Sequence, residues 1–98
     1  MSEFTVTDQP QLHRYEVRAE DGSVVGFSAY RRDGAVVVFT HTEVDDAMEG
    51  QGVGSRLVRG ALDDVRAAGL TIRPLCPFVR AYVDGHPEYA DLVEAGAG

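Results

Sequence analysis

The hydrophobic rhythm of this chain changes once, near residue 50, and that change limits the folds open to it. Up to Val44 the apolar residues fall in short runs rich in valine and aromatics. From Val53 they recur at three-to-four spacing, as Val53, Leu57, Val58, Ala61, Leu62, Val65 and Ala68. The first pattern belongs to strands and the second to one amphipathic helix, from about Gly52 to Ala68. A run of strands followed by helix predicts an α+β fold.

Within the first half, Leu12–Ala19 alternates roughly, and Glu20-Asp21-Gly22-Ser23 supplies a turn. Val24–Arg31 is strand material, and Arg32-Asp33-Gly34 is expected to close a hairpin, because Asp-Gly accepts positive φ. Ala35–Val44 is expected to be the longest strand. Its run Ala35–Phe39 is apolar on both faces, which places it centrally. Strict alternation puts Phe39, His41 and Glu43 on one face and Val38, Thr40, Thr42 and Val44 on the other. These three strands predict an antiparallel meander.

Gly69 suits the helix C-terminal cap. Gly60, inside the helix, costs about 1 kcal/mol relative to alanine, which points to close packing against the sheet. Leu70–Leu75 reads as a fourth strand, parallel to Ala35–Val44 through a right-handed crossover. Pro77 to about Gly85 reads as helix, Pro87 opens a last turn through Val93, and Glu94–Gly98 is expected to fray.

Ninety-eight residues with 44% hydrophobic side chains make one domain, residues 1–98 with a core at about 12–93. The net charge of −7 argues against nucleic-acid or anionic-membrane partners and suits a cationic one. Cys76 is the single cysteine, so no internal disulfide forms. There is no secretory pattern and no apolar run long enough to span a bilayer, so a cytoplasmic location is expected.

The segment that carries chemistry is Glu49-Gly50-Gln51-Gly52-Val53-Gly54-Ser55, set between a strand and a helix. Glycines at alternate positions remove the Cβ atoms that would keep an anion from the backbone. The helix start adds unpaired N–H groups and the positive end of its dipole. Together they make a cradle for a diphosphate. A Walker-type loop would need Lys and then Ser or Thr after the last glycine, whereas Gly54 is followed by Ser55-Arg56. A dinucleotide fingerprint would need G-x-G-x-x-G after the first strand of a parallel unit.

The stretch Gly50-Gln51-Gly52-Val53-Gly54-Ser55-Arg56-Leu57 resembles the coenzyme A-binding segment of the GCN5-related N-acetyltransferases. The likeness to a small branch of about a hundred residues also includes His41-Thr42-Glu43-Val44, Pro74-Leu75-Cys76-Pro77-Phe78-Val79 and His86-Pro87-Glu88-Tyr89. It covers about residues 12–93 and implies a minimal form of that fold, with the diphosphate on Gly50, Gln51, Gly52, Val53, Gly54 and Ser55. It further implies that Val44 offers main-chain hydrogen bonds to the pantetheine arm. Glu49 departs from the family's Arg or Gln, so its side chain is expected to point away from phosphate. On this resemblance, the last two strands and the N-terminal helices of larger members, which build much of the acceptor site, are expected to be missing.

Arg56 reads as a phosphate partner or a solvated helix side chain. Cys76 reads as an acyl acceptor, a cofactor contact or a small buried hydrophobe. The resemblance gives Tyr82 the protonation of the departing thiolate, against a packing role at the core edge. Glu43 and His41 are candidate bases for an ammonium, against a strand-end charge and a boundary histidine. His13 and His86 read as surface. No residue pattern suggests a metal. The reading is an acetyl-coenzyme A-dependent N-acyltransferase acting on an unidentified amine, as a monomer or weak homodimer. Its rivals are a coenzyme A-binding module with little turnover and an interaction protein with a relic loop.

Overall fold

The computed structural model describes residues 4–48 and 50–94. Its strands are β1 (Thr5–Gln9), β2 (Arg14–Arg18), β3 (Val24–Asp33), β4 (Val36–Val44) and β5 (Thr71–Pro74). Its helices are α1 (Val53–Ala67) and α2 (Pro77–Gly85), with short 3-10 turns at Pro10–Leu12, Asp46–Met48 and Pro87–Leu92. The five strands lie in sequence order in one sheet, β1 to β4 antiparallel and β5 parallel to β4. The meander, the crossover helix and the parallel strand follow the sequence reading.

β1 does not. The sequence reading begins the sheet at Leu12, but Thr5-Val6-Thr7-Asp8-Gln9 forms an edge strand against β2. The segment carries one aliphatic side chain, Val6, so its pattern is faint. Long-range contacts hold it instead. Val6 packs on the core, and Tyr30 donates a 2.6 Å hydrogen bond to Asp8. The hairpin after β3 also shifts: the strand runs through Asp33, which pairs with Val36, and the turn is Gly34-Ala35 with Gly34 at φ 59°. β3, with ten residues, is both the longest and the central strand, and β4 lies beside it.

α1 and α2 pack on the same face of the sheet. Leu57, Val58, Ala61, Leu62 and Val65 of α1 meet Tyr15, Val17, Tyr30, Val37 and Phe39 of the strands, and Val79, Tyr82 and Val83 of α2 complete the core. Each valine or leucine among them, fully buried, contributes about 1.5–3 kcal/mol. Gly69 ends α1 at φ 72°. Val93 then bridges Ile72 in parallel, the Glu94 amide donates to the Ile72 carbonyl, and the Glu94 carboxylate pairs with Arg73. Glu94 is therefore fixed rather than frayed, and residues 95–98 lie outside the described part.

Gly60 faces β1. A Cβ there would stand 2.7 Å from the Val6 Cβ, so the close packing expected of this glycine is against the strand that the sequence hid. Gly60→Ala gains about 1 kcal/mol of helix propensity but overpacks a fitted contact, which costs about 1–3 kcal/mol. The expected result is a net loss of up to about 2 kcal/mol, read from the urea midpoint. A stabilised variant would show that β1 is free to move away.

Candidate functional site

The site begins where β4 outlasts its neighbour. Pairing between β4 and β5 stops at Phe39–Pro74, and the Cys76 amide then donates to the Phe39 carbonyl at 2.9 Å. From Thr40 to Val44, β4 pairs with β3 alone among the described strands. The edge of β4 that β5 covers as far as Phe39 is thereby left without a paired strand from Thr40 to Val44 among the described residues.

Beyond Val44 the chain makes a tight descent to the helix. The Asp45 carboxylate accepts from the Ala47 amide at 3.1 Å, and its carbonyl accepts from Met48 at 2.8 Å. Gly50 and Gly52 take φ of 81° and 71°, and a Cβ at either would enter open space, so conformation rather than crowding selects glycine. Gly52 is the N-cap of α1 and offers no side chain to it. The first amide bond back into the helix is Arg56 N–H to the Gly52 carbonyl at 3.1 Å. The N–H groups of Val53, Gly54 and Ser55 thus lack intrahelical acceptors, with the positive end of the helix dipole behind them.

One amide assigned to the cradle from sequence is already engaged: Gln51 N–H donates to the Met48 carbonyl at 3.2 Å. The tight 3-10 descent uses that donor, which leaves Val53, Gly54 and Ser55 as the amides at the start of α1 without an intrahelical acceptor. Glu49, whose side chain was expected to avoid phosphate, lies outside the described residues. A cleft of about 220 Å³ opens onto the loop, lined by Val44, Met48, Gly50, Gly52–Ser55 and Phe78. Another hollow, of about 190 Å³ between β5 and α2, shares no residue with the loop. Arg56 sets its guanidinium over the Phe4 ring, 5.7 Å from the centroid.

The faces of β4 correct the strict alternation. Ala29 pairs with His41 and Tyr30 with Phe39, so Thr40 is an extra residue, a bulge in β4. The bulge reverses the parity after it. Phe39 stays in the core, while His41 and Glu43 point to the face away from the helices, and Thr42 and Val44 turn inward. Thr42 Oγ1 consequently meets Cys76 Sγ at 3.4 Å and the buried Ser28 Oγ at 2.9 Å. Cys76 is only 3% exposed and belongs to the core cluster.

His41 Nε2 and Glu43 Oε2 are 3.3 Å apart, and both side chains are well exposed. The His41 ring is near Phe27, whose face carries the Arg14 guanidinium at 4.8 Å. Arg14 and Arg18 in turn clasp Glu16, which is buried. Burial alone would push that carboxyl up, but hydrogen bonds from the two guanidinium groups outweigh it and hold it below the ordinary carboxylate range.

Tyr82 is not brought to the Thr42–Cys76 group. Its ring stacks on His86 at 3.9 Å, and the charges acting on its hydroxyl are Arg59, Glu88 and Asp63. His86 is not a free surface residue, since its Nδ1 lies 2.7 Å from the Tyr82 carbonyl. His13 is exposed, as read. Phe78, Thr42 and Ser28 had no role in the sequence reading. Phe78 carried a signal, because it falls off the α2 core stripe of Val79, Tyr82 and Val83.

The sequence pattern of the GCN5-related N-acetyl-transferase family matches residues 14–92. The chain belongs to that family. Its enzyme class is accordingly that of the acetyltransferases. The solution NMR structure of a GCN5-like protein from Staphylococcus aureus superposes with a TM-score of 0.71 at 23% identity, over 97% of this chain and 92% of that one. No curated protein matches the sequence at a significant level. This GCN5-related domain shows no cluster of three or more metal-ligating side chains among its described residues. Nor, among them, is any helix long and apolar enough to cross a membrane.

Proposed function

We propose that the domain moves an acetyl group from acetyl-coenzyme A to an amine, with the cofactor's diphosphate on the Val53–Ser55 amides. The observation that carries this reading is the convergence of three helix-start N–H groups without intrahelical acceptors, beside two glycines at positive φ, on a cleft walled by Val44 and Phe78. The open edge of β4 from Thr40 to Val44 offers main-chain groups to the pantetheine arm.

Amine nitrogen attacks the thioester carbonyl carbon, the C–S bond breaks as the C–N bond forms, and the amine proton passes through water to Glu43 or His41, which stand on the other face of β4 from the cleft. Water returns a proton to the departing thiolate, and Tyr82 would need to turn from His86 to do so. The burial of Cys76 favours direct transfer over an acyl-cysteine route. The net charge of −7 favours a cationic acceptor.

Because neither Cys76 nor Tyr82 is presented to the cleft, a coenzyme A-binding module with little turnover is the second reading. Isothermal titration with acetyl-coenzyme A, followed by thiol release across a panel of amines, separates the two. Binding with release is the expected result. Binding without release leaves the module, and absence of binding at millimolar ligand removes both.

A further inference from the structure

Phe78 is a large apolar side chain left 44% exposed in the first turn of α2. It lies off the stripe that α2 buries, yet it is not loose. A Cβ on Gly54 would stand 2.5 Å from the Phe78 Cζ, so the ring rests directly on the Gly54 main chain. The absence of a side chain at position 54 therefore both opens the cradle and seats the ring. Val44, Met48 and Val53 line the same cleft, and the wall beside three anion-binding amides is apolar.

That juxtaposition discriminates among organic diphosphates. In coenzyme A the diphosphate is followed, after one methylene, by a carbon bearing two methyl groups. At that same end of the diphosphate a dinucleotide carries a hydroxylated sugar and ADP carries nothing, so neither gains from a phenyl ring and a valine. We propose that Phe78 is the specificity-determining contact for this dimethyl segment, and that it makes the loop select coenzyme A over other diphosphates. The inference rests on the cradle described under the proposed function and adds the residue that reads the arm beyond it.

The test is calorimetric, with two probes: coenzyme A, and adenosine 3′-phosphate 5′-diphosphate, which lacks only the pantetheine arm. Phe78→Ala is expected to weaken coenzyme A about tenfold or more, the loss of one buried aromatic contact. The arm-less nucleotide should bind the variant within about twofold of wild type, since the charged contacts are untouched. Phe78→Leu should recover most of the loss, and circular dichroism checks that both variants fold. Unchanged coenzyme A affinity in Phe78→Ala overturns this inference and leaves the cradle standing. Equal losses for both probes also overturn it, by showing that the ring shapes the loop. A wild-type chain that binds neither probe removes the cradle and this inference together.

Discussion

Ser55→Glu is expected to abolish measurable coenzyme A binding while leaving the domain as stable as before, or slightly more so. Ser55 is the third residue of α1, a helix with no acidic side chain in its first turn and no side-chain cap. A carboxylate there faces the positive end of the helix dipole and can accept from amides that have no intrahelical acceptor, which stabilises a helix by about 0.3–1 kcal/mol. The same carboxylate occupies the place proposed for phosphate. Two like charges about 4 Å apart at an effective dielectric near 20 repel by about 4 kcal/mol, or about three orders of magnitude in affinity. Stability and binding should therefore move in opposite directions, an outcome that general damage to the fold cannot mimic. Ser55→Gln, of the same size without the charge, should bind within about tenfold of wild type. Thermal melting and calorimetry together give the answer. Wild-type affinity in Ser55→Glu would place the phosphates somewhere other than the start of α1.

The backbone course of this loop was legible in the sequence because everything it needs is local. Alternate glycines, a strand before and an amphipathic stripe after specify both the positive φ at Gly50 and Gly52 and the helix that begins at Val53. The stripe of α1 and the Gly69 cap were readable for the same reason: helix periodicity and cap geometry are set by residues within a turn of each other. Only the fate of the Gln51 amide escaped, because it depends on the 3-10 descent through Met48.

What the sequence hid is what distant residues decide. The Thr40 bulge is a property of the β3–β4 pairing, not of β4, and nothing within Ala35–Val44 marks it. That one extra residue separates His41 and Glu43 from the face holding Phe39 and sends Thr42 to Cys76. β1 escaped because its stability comes from Gly60, β2 and the Tyr30–Asp8 hydrogen bond, not from its own apolar content. The turning of Tyr82 toward His86, and the capture of Glu94 by Arg73 and Ile72, are likewise tertiary events. The directions of the candidate catalytic side chains were thus harder to read than the course of the glycine loop. The proposed cofactor contacts are main chain whose course is locally specified, while the proposed acceptor contacts are side chains whose directions the packing chooses.

The second large effect expected is loss of the fold in mild alkali, and it comes from the tyrosines. The chain has four, Tyr15, Tyr30, Tyr82 and Tyr89, and every one is raised above the ordinary phenol pKa, first by burial. Three also donate to carboxylates: Tyr15 to Asp64 at 2.7 Å, Tyr30 to Asp8 at 2.6 Å and Tyr89 to Asp63 at 2.6 Å. A phenolate there would lose its hydrogen bond and face a like charge. Tyr89 is pushed up to about 12, and Tyr15 and Tyr30 further. The folded state therefore holds these protons more tightly than the unfolded chain, whose phenols titrate near 10. The stability they lend is complete below about pH 10 and is lost as pH rises through the folded values. Each tenfold tightening of a proton in the folded state is worth about 1.4 kcal/mol, against a total stability of about 5–15 kcal/mol. Several coupled tyrosines therefore suffice to unfold the domain from about pH 10 to 12. Tyrosinate absorbance and far-ultraviolet circular dichroism, followed together, should change in one cooperative step above about pH 10. Ionisation of all the phenols near their ordinary pKa with the helices intact would show that these hydroxyls are neither buried nor bonded as described, and the link between α1 and the sheet through Tyr15 and Asp64 would fall with them.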